Sequence, residues 1–198
     1  AKVSALLLAT YGDHYDAANV LLNKGADPDL HDKDAEIPLV VAAARGNVNL
    51  VRLLLDNGAD PGHFDNQDWS ALGAAAREGH LGVVETLIES KHYATPDEQD
   101  GQNRTPLLIA GLSGHADIVD YLLGHGADMN QLSPTSGFPL LISASSAGQI
   151  EVVNTLFQHG ADPNHFDGFN TPLLVAAGNG QSEMVSLLLS LGVDANQV

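Results

Sequence analysis

Short runs of apolar residues, separated by glycines, recur along the whole chain. In one stretch, Leu107 to Ala110 form an apolar run, Gly114 interrupts it, and a second run follows from Ile118 to Leu123. Pro106 precedes the first run, as is typical of a first helical position, where the missing N–H of proline costs nothing. The pattern predicts two helices. Each is too short to be stable alone, so the pair must pack against other elements.

The same pattern returns at nearly constant spacing, which indicates an array of repeats. The residues that open the first helices are Pro38, Ala71, Pro106, Pro139 and Pro172, at spacings of 33, 35, 33 and 33. A sixth, less regular copy occupies residues 1–28, with helices expected over 4–10 and 16–24. We expect one domain over residues 1–198, because repeats bury their apolar faces between neighbours. The approximate repeat bounds are 1–33, 34–66, 67–101, 102–134, 135–167 and 168–198.

The repeated unit resembles the ankyrin repeat, whose pattern is a TPLHxAA helix, a GH break, a VVxLLL helix and a GADVN turn. Residues 170–196, NTPLLVAAGNGQSEMVSLLLSLGVDAN, carry the resemblance most fully. The resemblance implies an all-α solenoid of paired antiparallel helices joined by β-hairpin fingers. It also implies a concave side, formed by finger tips and first helices, that binds protein. The histidine of TPLH is absent from every repeat, and the residues in its place are Val40, Gly73, Leu108, Leu141 and Leu174.

Three irregularities interrupt the array. Repeat one has one additional residue near Asp13–His14, and repeat five has one in its first helix, where we expect a bulge within 143–147. The connection over 91–104 is the longest and most irregular of the series. Repeat six ends without a polar cap, so we expect the natural chain to continue beyond it.

The charge balance limits the classes of partner. Eight Lys and Arg stand against 25 Asp and Glu, a net charge of −17. This balance argues against nucleic acid and anionic membrane, because phosphate binding needs clustered basic residues. It permits a basic protein partner. We expect an intracellular, cytoplasmic protein that is a monomer.

Candidates for chemistry are few. The chain has no cysteine, and it lacks a GxSxG elbow, a phosphate loop and a dinucleotide fingerprint. We therefore expect no enzyme, cofactor or metal site. We expect His80 and His115, at the GH position of the family, to bond local backbone. Regularly spaced aspartates favour turns in which the carboxylate accepts backbone N–H groups, at Asp27, Asp60, Asp128, Asp162 and Asp194.

We expect the function to lie in the surface of the array, as a partner site on the concave side. The site is expected around finger two, residues 62–69, and finger three, within residues 91–104. We place its centre at Trp69, the sole tryptophan, with neighbouring acids that would favour a partner segment bearing Lys or Arg around an apolar anchor. The predicted contact residues are either carried over by position in the family or lie on the fingers beside those positions. Those carried over by position are Asn66, Gln67, Trp69, Arg77, Glu78, Arg104 and Leu112, and those on the fingers are Phe64, Tyr93, Phe166 and Phe169.

Two further hypotheses follow from the resemblance. Turn asparagines with a leucine eight residues earlier are the kind of site that asparaginyl hydroxylases use, and Asn130, Asn164 and Asn196 meet that description. The same residues are also ordinary structural choices. The array could instead serve as the targeting, substrate-recruiting part of a larger enzyme or secreted bacterial effector, or as a purely structural spacer.

Overall fold

The computed structural model describes residues 3–31, 36–90 and 95–196. The contacts divide the chain into two compact units, residues 1–106 and 107–198. The helices of the first part of the chain are α1 (Ala5–Tyr11), α2 (Tyr15–Asn23), α3 (Pro38–Ala44), α4 (Val48–Asp56), α5 (Ala71–Glu78) and α6 (Leu81–Glu89). They are followed by α7 (Pro106–Ser113), α8 (Ala116–Gly124), α9 (Leu140–Ala147), α10 (Ile150–Gln158), α11 (Pro172–Gly178) and α12 (Ser182–Ser190).

The first unit is a stack of three helix pairs. Each first helix packs on the second helix of its pair, and the pairs stack with α3 between α1 and α5 and with α4 between α2 and α6. Large side chains are sealed between successive pairs, and the fully buried ones include Leu7, Leu50, Leu54, Leu72 and Leu87. Burying each such side chain stabilises the fold by about 1.5–3 kcal/mol.

The second unit follows the same plan. Helix α9 pairs with α10 and stacks on α11, and α10 lies between α8 and α12. Its fully buried large side chains are Leu107, Ile118, Leu122, Leu140, Ile142 and Leu156. The all-α solenoid of short paired helices that the sequence predicts is therefore confirmed.

The connections between pairs fold back as tight turns. In finger two, residues 62–69, the Asp65 N–H donates to the Trp69 carbonyl at 3.0 Å. In the part of the chain described, β pairing is limited to one isolated antiparallel bridge between Leu132 and Pro139. The fingers thus have the reversal of a hairpin with almost no strand.

Repeat one has no additional residue. Its helices have seven and nine residues, as do α3 and α4 of repeat two. Asp13, at φ 54°, occupies the left-handed position that Gly46 fills at φ 72° in the next repeat, and aspartate tolerates that region better than most residues. The prediction of an insertion near Asp13–His14 was wrong because Gly12, which ends α1, is not the equivalent of Gly46.

The bulge expected within 143–147 was also wrong. Helix α9 is uninterrupted from Leu140 to Ala147, and Pro139 precedes it as the capping residue. Leu140 therefore takes the first helical position that Pro38 holds in repeat two, and Ile142 rather than Leu141 stands at the place of the family histidine. The additional residue belongs to the finger, where the Ser133 N–H donates to the Phe138 carbonyl at 2.9 Å.

The substitution of leucine for proline at this position is matched by a glycine in the preceding repeat. Leu140 is fully buried, and a Cβ placed on Gly111 would lie 2.5 Å from its Cδ1 atom. The missing side chain at Gly111 thus makes room for the larger side chain at Leu140.

The last described pair exposes two apolar positions that are buried in repeat two. Leu174 and Leu189 are exposed, whereas Val40 and Leu55, which hold the same places in repeat two, are buried.

We expect Gly111→Ala to destabilise the second unit by about 1–3 kcal/mol, because the new methyl group overlaps a buried side chain that cannot move aside freely. Urea unfolding followed by helical circular dichroism measures the loss. The double variant Gly111→Ala/Leu140→Val should recover part of it, since valine lacks the overlapping Cδ1 atom. Equal losses in the single and the double variant would contradict the packing described.

Candidate partner-binding site

A groove of about 240 Å³ lies on the first-helix side of unit one. Its apolar floor comes from α3 and α5, and aromatic residues from the end of α1 and from finger two flank it. Charged side chains of both signs complete the lining. The lining residues are Tyr11, Glu36, Ile37, Val40, Val41, Ala44, Arg45, Asp65, Gln67, Trp69, Ala74, Arg77 and Glu78.

Asp65 builds the turn that holds Trp69 beside the groove. Its Oδ1 atom accepts the N–H groups of Gln67 at 2.8 Å and of Trp69 at 2.9 Å. Asp68 adopts a left-handed φ of 66°, which lets the chain reverse within five residues. Ser70 then caps α5 by accepting the Gly73 N–H at 3.0 Å, so the backbone of Trp69 is fixed on both sides.

Finger three, residues 95–104, repeats this turn with an added ion pair. Oδ1 of Asp100 accepts the N–H groups of Gln102 and Arg104, both at 2.9 Å. Its Oδ2 atom accepts a hydrogen bond from Nε of Arg104 at 2.7 Å and lies 2.6 Å from Nη2. The Asp100 side chain is only 1% exposed, so this carboxylate is a structural group that a partner cannot reach.

The two fingers are joined to each other. The Gly101 N–H donates to the Asp68 carbonyl at 3.0 Å, and Nε2 of Gln102 donates to the Gln67 carbonyl at 3.2 Å. The guanidinium carbon of Arg104 lies 3.9 Å from the centroid of the Trp69 ring. These backbone, amide and cation–π contacts hold fingers two and three together.

A second guanidinium lies over the same indole. The guanidinium carbon of Arg77, from the last turn of α5, is 5.1 Å from the Trp69 ring centroid. Nε of Arg77 lies 3.5 Å from Oε1 of Glu78, and both side chains are about half exposed. The Trp69 side chain is half-buried, so only part of it is exposed to solvent.

The structure gathers part of the predicted site. Gln67, Trp69, Arg77 and Glu78 line the groove, and Arg104 supports it from finger three. Asn66 is exposed at the finger tip, and Tyr93 lies outside the described residues. Phe64 is exposed but lines a separate depression, of about 420 Å³, together with Asp27, Asp29, Leu30, His31, Ile37 and His63.

The remaining predicted contacts belong to the second unit. Leu112, Phe166 and Phe169 are exposed there, and Phe169 is the most exposed at 86%. Asp167 stiffens their finger, because its Oδ1 atom accepts the N–H groups of Phe169 and Asn170 at 2.8 and 2.7 Å.

Sequence reasoning missed two residues that line the groove, Tyr11 and Arg45. Asp13 holds Arg45, because its carboxylate oxygens lie 3.2 Å from Nε and 2.6 Å from Nη2 of the guanidinium. Nδ2 of Asn47 donates to the same carboxylate at 3.2 Å. These hydrogen bonds, with that of Arg45 the largest cause, lower the pKa of Asp13 from its ordinary 3.8. The repeat pattern carries no signal for this contact because it joins residues of two repeats.

The turn aspartates behave as predicted. Each accepts the N–H of the residue two positions later; for Asp60 the donor is Gly62 at 2.9 Å, and for Asp162 it is Asn164 at 2.8 Å. His80 differs from expectation, because its Nε2 atom lies 3.0 Å from the carbonyl of Ala44 in the preceding repeat rather than bonding its own break. It therefore ties two repeats together.

The three candidate asparagines lie in these turns. Asn130, Asn164 and Asn196 are exposed, and each donates its backbone N–H to the aspartate two residues earlier. The leucines eight residues before them are buried in the core. Hydroxylation at these positions stays a prediction.

Comparison with known proteins identifies the fold's family. The sequence pattern of "Ankyrin repeats (3 copies)" matches residues 6–100 and 91–167, and that of "Ankyrin repeat" matches residues 169–197. The chain belongs to the ankyrin repeat family. Ankyrin repeat domains are generally protein–protein interaction modules and are typically non-enzymatic.

Solved ankyrin repeat domains superpose closely on the chain. The ankyrin repeat domain of Bcl-3, a member of the IκB protein family, matches with a TM-score of 0.85 at 25% identity, covering 98% of this chain and 88% of that one. The human ASB11 ankyrin repeat domain matches with a TM-score of 0.85 at 24% identity, covering 98% and 86%.

A curated relative matches only locally. Transient receptor potential cation channel subfamily A member 1 of Drosophila melanogaster is 48% identical over 46 residues, which is 23% of this chain and 4% of that protein. Within the described part of this chain, no helix is both long and apolar enough to cross a membrane.

We expect Asp100→Asn to lower the free energy of unfolding by about 2 kcal/mol, because the amide can still accept the turn N–H groups but leaves Arg104 without its charged partner. Asp65→Asn is the matched control, since Asp65 holds the same place in finger two and pairs with no arginine there; its loss should stay near 1 kcal/mol. Urea unfolding measures both, and equal losses would contradict the assigned role of the ion pair.

We expect Asp13→Asn to lower the free energy of unfolding by up to about 1 kcal/mol at neutral pH, a small value because the pair with Arg45 is about 40% exposed. The pKa of Asp13 is depressed in the folded state. Its contribution is therefore present above the unfolded pKa and is lost as pH falls through the folded pKa. Urea titrations from neutral pH to well below the ordinary aspartate pKa of 3.8 should show the two proteins converging. A difference that is constant with pH would rule out the charged pair as its source.

Proposed function

We propose that the chain is a non-enzymatic interaction module that binds a protein partner in the groove of unit one, with Trp69 as the central contact. The observation that carries the proposal is the groove itself: a partly apolar concavity with the sole tryptophan at its rim and with that tryptophan's backbone fixed by hydrogen bonds. Large aromatic side chains held in this way are enriched at the centres of protein interfaces.

The size of the groove favours a protein segment over a small organic ligand. Its volume of about 240 Å³ is below the range of roughly 300–1,000 Å³ usual for small-molecule sites. One or two apolar side chains fill such a space, while the rest of a partner lies across the rims. Ile37, Val40 and Val41 supply the apolar surface that an anchor residue would contact.

Charge complementarity favours a basic partner. The chain carries a net charge of −17, and Glu36, Asp65 and Glu78 line the groove. Asp100 lies near Trp69 in the sequence, but it is buried and paired with Arg104, so it is not one of these acids. The acids should act mainly by raising the association rate, so binding should weaken with added salt.

The same groove is also compatible with a role as part of a larger protein. The same groove could recruit substrates for a larger enzyme or a secreted effector, with catalysis outside residues 1–198. The proposal for the groove is the same in both settings, as is the proposal that the module is monomeric and acts inside the cell. A structural spacer, by contrast, would need no partner in the groove.

We expect Trp69→Ala to weaken partner binding by about 2 kcal/mol or more, roughly thirtyfold, because an aromatic anchor is lost. The experiment captures partners from a lysate of the native cell on the immobilised parent chain and then compares the affinity of a recovered partner for each variant. Tyr15→Ala is the matched control, since it truncates an exposed aromatic side chain on the second helix of a pair in the same unit. Helical circular dichroism verifies that each variant is folded.

Retained affinity in Trp69→Ala would place the site elsewhere, and the finger with Phe166 and Phe169 would be the next candidate. Recovery of no partner by an intact, folded chain would favour the spacer.

A further inference from the structure

We propose that the depression beside Phe64 receives a lysine side chain of the partner whose apolar residue occupies the groove of unit one. The depression has a volume of about 420 Å³ and is lined by Asp27, Asp29, Leu30, His31, Ile37, His63 and Phe64. Ile37 also lines the groove, so a single partner segment can reach both places. This inference rests on the proposed function and adds a second, charged contact to it.

The first argument is the negative charge of Asp29. Its two oxygens accept the Asp60 N–H at 3.1 and 3.2 Å, and its side chain is only 22% exposed. Burial raises the pKa of this carboxyl from its ordinary 3.8, and the charges of Asp60 and Asp27 add to the rise, while the Asp60 N–H and His63 oppose it. A cation brought close to Asp29 would stabilise the charged carboxylate.

The second argument is that the neighbouring histidine compensates this charge only weakly. Nδ1 of His63 lies 3.8 Å from Oδ1 of Asp29, and its Nε2 atom lies 3.8 Å from Oδ2 of Asp60. Both distances are beyond hydrogen-bond range, and the imidazole is about half exposed. Within the described residues, no lysine or arginine lies at ion-pair distance from Asp29. A partner lysine would supply that charge.

The third argument is the apolar surface around the carboxylate. Leu30 and Phe64 are exposed, and both line the depression together with Ile37. The four-carbon stem of a lysine would cover part of this surface while its ammonium reaches Asp29. A purely apolar occupant would instead remove water from the carboxylate without supplying a cation, which costs free energy.

Lysine is favoured over arginine by the hydrogen bonds that Asp29 already accepts. The Asp60 N–H lies at nearly equal distances from the two carboxylate oxygens, so it occupies the approach between them. A guanidinium fork binds a carboxylate by two parallel hydrogen bonds along that same approach. An ammonium needs contact with one oxygen only.

The experiment follows the imidazole signals of His31 and His63 in the full chain by nuclear magnetic resonance, assigned with His31→Gln and His63→Gln. The probe is the acetylated and amidated peptide Ala-Lys-Ala, titrated to tens of millimolar at fixed pH, with the ionic strength held constant by potassium chloride. Matched peptides replace lysine by norleucine, which has the same stem without the charge, or by arginine.

Two pairs of variants separate charge from packing. Leu30→Lys places a competing ammonium in the depression, and Leu30→Gln is its uncharged match, since both remove the same apolar side chain. Asp29→Asn removes the carboxylate, and Asp56→Asn, an exposed acid at the end of α4, is the control for net charge. The Leu30 pair leaves the bond between Asp29 and Asp60 in place, so it decides the test even if Asp29→Asn does not fold.

We expect the lysine peptide to shift both imidazole signals in a saturable way, and the norleucine peptide to shift them less at every concentration. Asp29→Asn should weaken lysine binding about two- to fivefold, the effect of losing one partly exposed charge pair, while Asp56→Asn leaves it near that of the parent. Leu30→Lys should bind the lysine peptide more weakly than Leu30→Gln does.

Four results would overturn the inference. They are the absence of a saturable shift with the lysine peptide, equal shifts with the lysine and norleucine peptides, tighter binding of the arginine peptide, and equal affinities in Leu30→Lys and Leu30→Gln. Each leaves the groove untouched as a partner site. The proposed function is judged separately, by the effect of Trp69→Ala on a recovered partner.

Discussion

The rest of this structure depends on one constraint, the inability of its helices to stand alone. Each described helix has seven to nine residues, and isolated helices of that length are marginal in water. The stabilisation must come from side chains such as Leu54 and Leu122, which are fully buried between pairs. Every repeat is therefore selected for how it meets its neighbour as much as for its own fold.

This constraint explains which departures from the repeat pattern are tolerated. Leu140 replaces a proline only where Gly111 leaves room for it, and Asp13 takes a left-handed position that glycine otherwise fills. Asp13 then gains a function that glycine could not have, because its carboxylate pairs with Arg45 of the next repeat. At both irregular positions, the unusual residue makes a contact with a neighbouring repeat: Leu140 with Gly111, and Asp13 with Arg45.

The same distinction separates what the sequence predicts from what it does not. Helix positions, the turn aspartates and buried leucines follow from local spacing, and the structure confirms them. The insertion at Asp13 and the bulge in α9 were wrong because Gly12 and Pro139 do not hold the places of the glycine and proline in repeat two. The local bonding of His80 was wrong because its partner, the Ala44 carbonyl, lies in the preceding repeat. For the candidate site, the pattern places Trp69 on the concave side, but it cannot show that Asp100 is buried beneath Arg104. A motif read one repeat at a time contains no information on which side chains meet across repeats.

The candidate site is itself such a contact between repeats. Trp69 belongs to the third repeat, its close guanidinium comes from Arg104 at the start of the fourth, and Tyr11 and Arg45 come from the first and second. A groove assembled in this way can change its chemistry through substitutions at exposed positions, while the buried leucines that hold the stack stay the same. The ring of Trp69 lies between the buried scaffold and the exposed surface. Arg104, paired with the buried Asp100, belongs to the scaffold, and the more distant and more exposed Arg77 belongs to the surface. The exposed side chains of the groove are therefore the positions at which its chemistry can vary without loss of the buried contacts between pairs.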